Sequence, residues 1–216
     1  MARLPRLYLP ATAQLVLVRG INSSAVFYNF DDYAQWHSIL RSIAPNYAVA
    51  IHAYALIEHS VYLLVTAENA NALGKLMQDL GRRYVRYINN LHGRTGTLWE
   101  GRYRTAYLQD KHVLDAYVWL DGMSAQSSRA HHEGVATIGF ISDHAQYWTL
   151  GNTPYDRQYH YRQRLQNGLN SNKITELNNA VNTGWALGDA TFLSHAARVS
   201  GRRVTQAARG RPTKKS

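Results

Sequence analysis

The residues best equipped for chemistry sit in one run, His92-Gly93-Arg94-Thr95-Gly96-Thr97-Leu98-Trp99-Glu100-Gly101-Arg102-Tyr103-Arg104. Arg94, Arg102 and Arg104 offer guanidinium forks that match phosphate oxygens, and Trp99 and Tyr103 offer planes on which bases can stack. Core packing accounts for the two aromatics equally well. Arg82, Arg83 and Arg86 stand just upstream and extend the basic region. A second stretch, Tyr54 to Thr66, reads as a strand, a short turn near Glu58 and a returning strand from Ser60. On an extended chain side chains two apart share a face. Ser60 and Tyr62 therefore point together, and His59, Val61, Leu63 and Val65 point the other way.

The elements that must position these residues follow from periodicity. Leu7 to Arg19 reads as a buried strand, stopped by Gly20 and an Asn-Ser-Ser turn. Asp31 and Asp32 offer an N-cap and acidic first turn for a helix to about Ile43, closed by Pro45. Alternation returns over Tyr47 to Leu56. Asn69 to Leu91 is the longest helical pattern, with Leu73, Leu76, Met77, Leu80, Tyr84 and Tyr87 on its apolar stripe. Arg102 to Leu108 reads as a strand and Asp110 to Ala125 as a helix. The order β-α-β-β-α-β-α implies an α+β, ferredoxin-like (split βαβ) antiparallel sheet with helices on one face. Beyond it, Pro154 to Leu165 and Lys173 to Val181 read as helices of a C-terminal helical extension. The division expected is residues 1–125, 126–200, and a basic tail over 201–216 that is disordered when free.

The totals bound the partner. The chain has 216 residues, 24 Lys and Arg against 14 Asp and Glu, and no cysteine. A net charge of +10 favours a polyanion. The lack of cysteine excludes disulfides and thiolate metal sites. No apolar run approaches the ~20 residues of a spanning helix, and the first residues carry no signal-peptide core. The expectation is a cytoplasmic protein without a membrane partner. His131, His132 and His144 have no acidic or histidine partner at a metal-ligand spacing and read as surface residues. Trp148 and Trp185 read as core of the extension.

The run from His92 to Arg104, the helix end Gly81-Arg82-Arg83-Tyr84-Val85-Arg86-Tyr87-Ile88-Asn89 and the opening Arg3-Leu4-Pro5-Arg6 resemble REP-associated tyrosine transposases, of the single-tyrosine HUH superfamily. The resemblance covers nearly the whole chain. It implies a strand bearing two histidines that ligate a divalent metal; in register they fall on Ser60 and Tyr62, so the pair is degenerate here. It also implies a nucleophilic tyrosine at Tyr117, in Tyr117-Val118-Trp119-Leu120-Asp121-Gly122-Met123. Its phenoxide would attack phosphorus and leave a 5′-phosphotyrosine. The competing reading of Tyr117 is a buried helical tyrosine. Asp121 shares its helix face. A hydroxyl and a phenol with a reference pKa of ~10 are weak substitutes for imidazoles. Glu58, His59 and Asp121 are the possible replacements, given a bulge or a slipped register.

The reading that results is a transposase-like protein that binds DNA at a hairpin and its flanking single strand, as monomer or homodimer, with metal-dependent cleavage lost or impaired. The alternative is an active transposase or nickase that uses Mg²⁺ or Mn²⁺. A third possibility is a basic domain on RNA. The DNA-binding candidates are Arg82, Arg83, Arg86, Arg94, Trp99, Arg102, Arg104, Arg209 and Arg211. The last two lie in Arg209-Gly210-Arg211-Pro212, which resembles the core of an AT-hook suited to a narrow A·T minor groove.

Overall fold

Four strands hydrogen-bond in the order β2-β3-β1-β4 in the computed structural model, which describes residues 7–206. They are β1 (Gln14–Arg19), β2 (Val49–Ile57), β3 (Ser60–Ala67) and β4 (Arg104–Tyr107), and every pairing is antiparallel. Helix α1 (Phe30–Ile43) connects β1 to β2, and α2 (Ala72–Leu91) connects β3 to β4. This is the expected ferredoxin-like βαββαβ unit: each helix returns the chain so that a third strand fits between two parallel ones. The α1 cap sits two residues earlier than Asp31. Asn29 accepts from the Asp32 amide, and the Asp32 carboxylate accepts from the Asn29 amide, closing a capping box.

Strand alternation divides the core in two. Val16, Val18, Val61, Leu63 and Val65 face α1 and α2 in one cluster with Trp36, Leu76, Leu80 and Tyr84. Leu15, Leu17, Tyr62 and Leu64 face the other way. That second face is covered as well. Helices α3 (Val113–Met123), α4 (Arg129–His132), α5 (Ala145–Trp148), α6 (Pro154–Asn167) and α7 (Ser171–Thr183) follow the sheet in the chain, and residues of α3, α5, α6 and α7 complete the second cluster. Helices thus lie on both faces, α1 and α2 on the first as expected, α3 and the extension on the second. A last helix, α8 (Ala190–Ser200), packs with Leu9, Tyr107 and Val204.

The extension also caps both sheet edges. Outside β2, the Leu56 amide donates to Gln126 O at 2.8 Å, Ser128 N to Tyr54 O at 3.1 Å, and Ser142 N to Ile51 O at 2.8 Å. Outside β4, Leu187 N donates to Tyr107 O at 2.8 Å and Gln109 N to Leu187 O at 2.9 Å. Unpaired edge groups are thereby satisfied, which removes a template for aggregation. Among the described residues no helix is long and apolar enough to cross a membrane.

Candidate nucleic-acid interface and the tyrosine face

The basic run after α2 is held against that helix by a break in strand pairing. At one end Arg104 lies opposite Leu17 in the β4–β1 ladder. At the other, Trp99 bridges Gly20, and Glu100 N donates to Arg19 O at 2.9 Å. From Leu17 to Gly20 is three steps along β1, whereas from Arg104 back to Trp99 is five, so two extra residues bulge out of the sheet edge. The bulge carries Gly101, Arg102 and Tyr103, and the space between it and α2 is a groove of about 1120 Å³.

Helical spacing supplies the opposite wall. Lys75, Arg82 and Arg86 line the groove from one stripe of α2. The buried stripe Leu73, Leu76, Leu80, Tyr84 and Ile88 fixes the helix rotation. Arg102 enters from the bulge, with Trp99 and Tyr103 beside it. Arg82, Arg86 and Arg102 are exposed, and none forms an ion pair among the described residues. Trp99 is half-buried, at 6.1 Å and 30° to the Tyr84 ring, so it serves packing as well as the groove.

The other arginines of the region are engaged elsewhere. Arg83 pairs with Asp79 at 2.9 Å, and that guanidinium, with the Tyr47 hydroxyl, holds the Asp79 carboxyl below its usual range. Arg94 donates to the Tyr28 hydroxyl at 2.6 Å, on a turn that starts at Gly93, whose φ of 57° is the left-handed conformation helix ends favour. Arg104 is bound by Glu100 at 3.1 Å and the Asn182 carbonyl at 3.3 Å. Arg209 and Arg211 lie outside the described residues.

The second face places Tyr117 very differently. It is fully buried on α3, in ring contact with His132, Tyr147 and Tyr161, and its hydroxyl oxygen accepts from His144 N at 2.9 Å. Burial pushes the phenol far above its ordinary pKa. Asp121, one turn on, is also buried. Its Oδ2 meets His132 Nδ1 at 2.6 Å and accepts from the Tyr161 hydroxyl at 2.6 Å, and its Oδ1 accepts from Ser128 Oγ at 2.5 Å. His132 Nε2 reaches His52 O at 3.0 Å, and the Tyr147 hydroxyl donates to His132 O at 2.6 Å. Both ring nitrogens of His132 therefore face oxygen acceptors.

These contacts correct the expectation that the histidines lie at the surface. His132 is fully buried, and His131 and His144 are half-buried. The partner that was missed, Asp121, is eleven residues away across a turn, a spacing that no ligand motif describes. Trp148 is also not core: it is 54% exposed, with the Arg157 guanidinium 4.3 Å over its ring. Trp185 is half-buried, with Arg203 at 5.6 Å.

Ser60 and Tyr62 do share a face, the one toward α3. Both are buried, and Tyr62 meets Trp119 edge-on at 5.6 Å. Glu58 and His59 are exposed at the β2–β3 turn, whereas Asp121 is committed to its own network. The structure does not bring these three together. Among the described residues no group of three or more His, Asp or Glu side chains is arranged to hold a metal ion. A buried serine hydroxyl and a phenol against an indole are not a donor set for Mg²⁺ or Mn²⁺.

The fold is shared with a solved structure. A REP-associated tyrosine transposase bound to a REP hairpin matches with a TM-score of 0.51 at 11% identity, over 68% of this chain and 96% of that one. A transposase candidate from Deinococcus radiodurans R1 matches with a TM-score of 0.39 at 15% identity, over 57% and 99%. A bacterial tRNA(His) guanylyltransferase-like protein in complex with ATP gives 0.42 at 12%, over 72% and 72%. The first likeness establishes the fold; the other two lie below a TM-score of 0.5. No protein-family model and no curated protein matches the chain.

Proposed function

We propose that this chain is a transposase-like DNA-binding protein that takes a hairpin and its flanking single strand along the groove between α2 and the Gly101–Tyr103 bulge, with strand cleavage at Tyr117 lost. The observation that carries the reading is the convergence of Lys75, Arg82, Arg86 and Arg102 on one groove beside two aromatic rings. Unpaired cations next to ring planes suit a phosphate backbone whose bases are free to stack. The fold shared with a hairpin-bound transposase supports DNA as the nucleic acid. Loss of cleavage is supported by the burial of Tyr117, by its raised pKa and by the absence of imidazoles at Ser60 and Tyr62.

The test is anisotropy titration of a labelled hairpin with a single-stranded flank. Replacing Arg82 and Arg102 by Ala removes two phosphate contacts. Affinity falls about ten-fold or more, and the slope of log K against log salt becomes shallower by about 1.4 to 1.8. Thermal stability stays within about 0.5 kcal/mol of the parent, because both side chains are exposed and unpaired. Equal binding by parent and variant overturns the groove assignment. A nicked product attached to Tyr117 in Mg²⁺ or Mn²⁺ overturns the loss of cleavage.

A further inference from the structure

The start of α1 exposes a phenylalanine that the core does not use. Phe30 is 72% exposed, whereas Phe27, three residues earlier, is buried and stacked on Tyr33 at 4.4 Å. Trp36, Ile39, Leu40 and Ile43 form the buried stripe of α1, and helical spacing puts Phe30 off it. Tyr28 is 45% exposed. Asn29 between them is extended, so the two side chains leave the chain on one side, from Cα atoms about 7 Å apart. The backbone beneath them is fixed. The Asp32 carboxylate accepts from the amides of Tyr28 at 2.7 Å and Asn29 at 3.2 Å, and from the Tyr87 hydroxyl of α2 at 3.1 Å. Rings held still but left unburied offer contact area at little ordering cost.

This patch continues the groove. Arg94, on the turn after α2, donates to the Tyr28 hydroxyl at 2.6 Å, and the His92 ring lies 4.6 Å from that of Tyr28. Arg86 and Thr97 line the groove. Arg94 stands three residues before Thr97, at most about 11 Å along the chain. A strand that follows the groove past Arg86 therefore meets Arg94, Tyr28 and Phe30 next. Arg94 forms no ion pair among the described residues, and its guanidinium has donors beyond the one given to Tyr28. Beside Phe30 the exposed acid is Asp31. Its charge repels a phosphate and leaves a neutral base unopposed.

We infer that Phe30 and Tyr28 form a stacking subsite for one unpaired base of the bound strand, at the end of the groove beside the last turn of α2, with Arg94 taking the adjoining phosphate. The inference rests on the nucleic-acid reading of the groove. The base lies against the π face of Phe30, and the sugar-phosphate chain passes on the Arg94 side.

The test uses the full-length chain and the same hairpin probe, with the fluorescent base 2-aminopurine at one unpaired position at a time. In the parent complex one position is quenched by stacking. Phe30→Ala abolishes that quenching and lowers affinity about ten-fold, within the loss expected for one base–aromatic stack. Its melting temperature is unchanged, because the ring is exposed. Its salt slope is also unchanged, because no phosphate contact is lost, whereas Arg94→Ala makes the slope shallower by about 0.7. Phe30→Leu keeps an apolar side chain without a π face and binds as weakly as Phe30→Ala; Phe30→Trp binds at least as well as the parent. Parent-like binding by Phe30→Leu alongside weak Phe30→Ala overturns stacking in favour of apolar contact. A DNA-free parent that sediments as a dimer while Phe30→Ala is monomeric makes the patch an interface between copies and overturns the subsite. Parent-like binding by Phe30→Ala alongside weakened Arg82→Ala/Arg102→Ala overturns the subsite and leaves the groove reading standing. No binding by the parent overturns both.

Discussion

The two faces of the sheet carry polar residues in opposite states. On the α2 side, Arg82, Arg86 and Arg102 stand exposed around an open groove and form no ion pair among the described residues. On the α3 side, Asp121, His132, Ser128, Tyr117, Tyr147 and Tyr161 are buried and bonded to one another or to backbone. Buried polar groups persist when their partners are supplied internally. Exposed charges left without partners contribute little to stability and remain available to a ligand. On the function proposed above, the first face binds and the second is architecture. It is tested by variants that should affect only one property.

Asp121→Ala should have the largest effect. It removes the acceptor of three buried donors and leaves His132 and Tyr161 without their shared carboxylate. Breaking a buried pair from one side costs about 3–5 kcal/mol, seen as a large fall in the denaturant midpoint. Hairpin affinity, measured where the variant is still folded, should be unchanged. A specific loss of DNA binding by folded protein would erase the distinction between the faces.

His52 sharpens the same comparison through pH. It is 4% exposed on β2, with Nδ1 at 2.6 Å from Ser142 O and Nε2 at 2.9 Å from Thr66 Oγ1, and burial lowers its pKa from 6.5 to about 4. The folded state prefers the neutral ring, so the unfolded chain binds more protons between about pH 4 and 6.5. The stabilisation is complete above about 6.5 and is lost as pH falls to about 4, a change on the order of 3 kcal/mol. Unfolding curves of the parent and His52→Gln should therefore converge in this interval, with the variant less dependent on pH. Parallel curves would show that His52 is not the titrating group.

The unequal legibility of the two faces has the same origin. The sheet could be read because alternation assigns each strand residue to a side, and Val61, Leu63 and Val65 lie opposite Tyr62 as that rule requires. The groove was partly legible because Arg82 and Arg86 repeat at helical spacing. The bulge that brings Arg102 to them depends on two extra residues in a ladder, a count that appears only when both strands are paired. The tyrosine face was least legible. Asp121 and His132 meet across a turn, and Tyr161 and Tyr147 reach them from separate helices, so no local spacing marks the set. Helix α8 was also missed, although Asp189 caps it through the Phe192 amide. Its apolar pattern is short, and its burial rests on Leu9 and Tyr107, far away in the chain.

Tyr117→Phe should have the smallest effect and probes the comparison at its centre. The ring and its stacking on Tyr147 at 5.9 Å remain, and only the hydroxyl is removed. That oxygen accepts the His144 amide, which is left without its partner, so the cost is about 1–2 kcal/mol of stability. A phenol held neutral by burial contributes no nucleophile, so the variant and the parent should be indistinguishable in hairpin affinity and in strand integrity with Mg²⁺ or Mn²⁺. The two quantities separate the possibilities. A stability loss with unchanged DNA chemistry places Tyr117 with Asp121 and His132 as part of the core. Unchanged stability together with the disappearance of a cleaved product would mean that the hydroxyl leaves its buried position to react, and the second face would then be a site and not a scaffold.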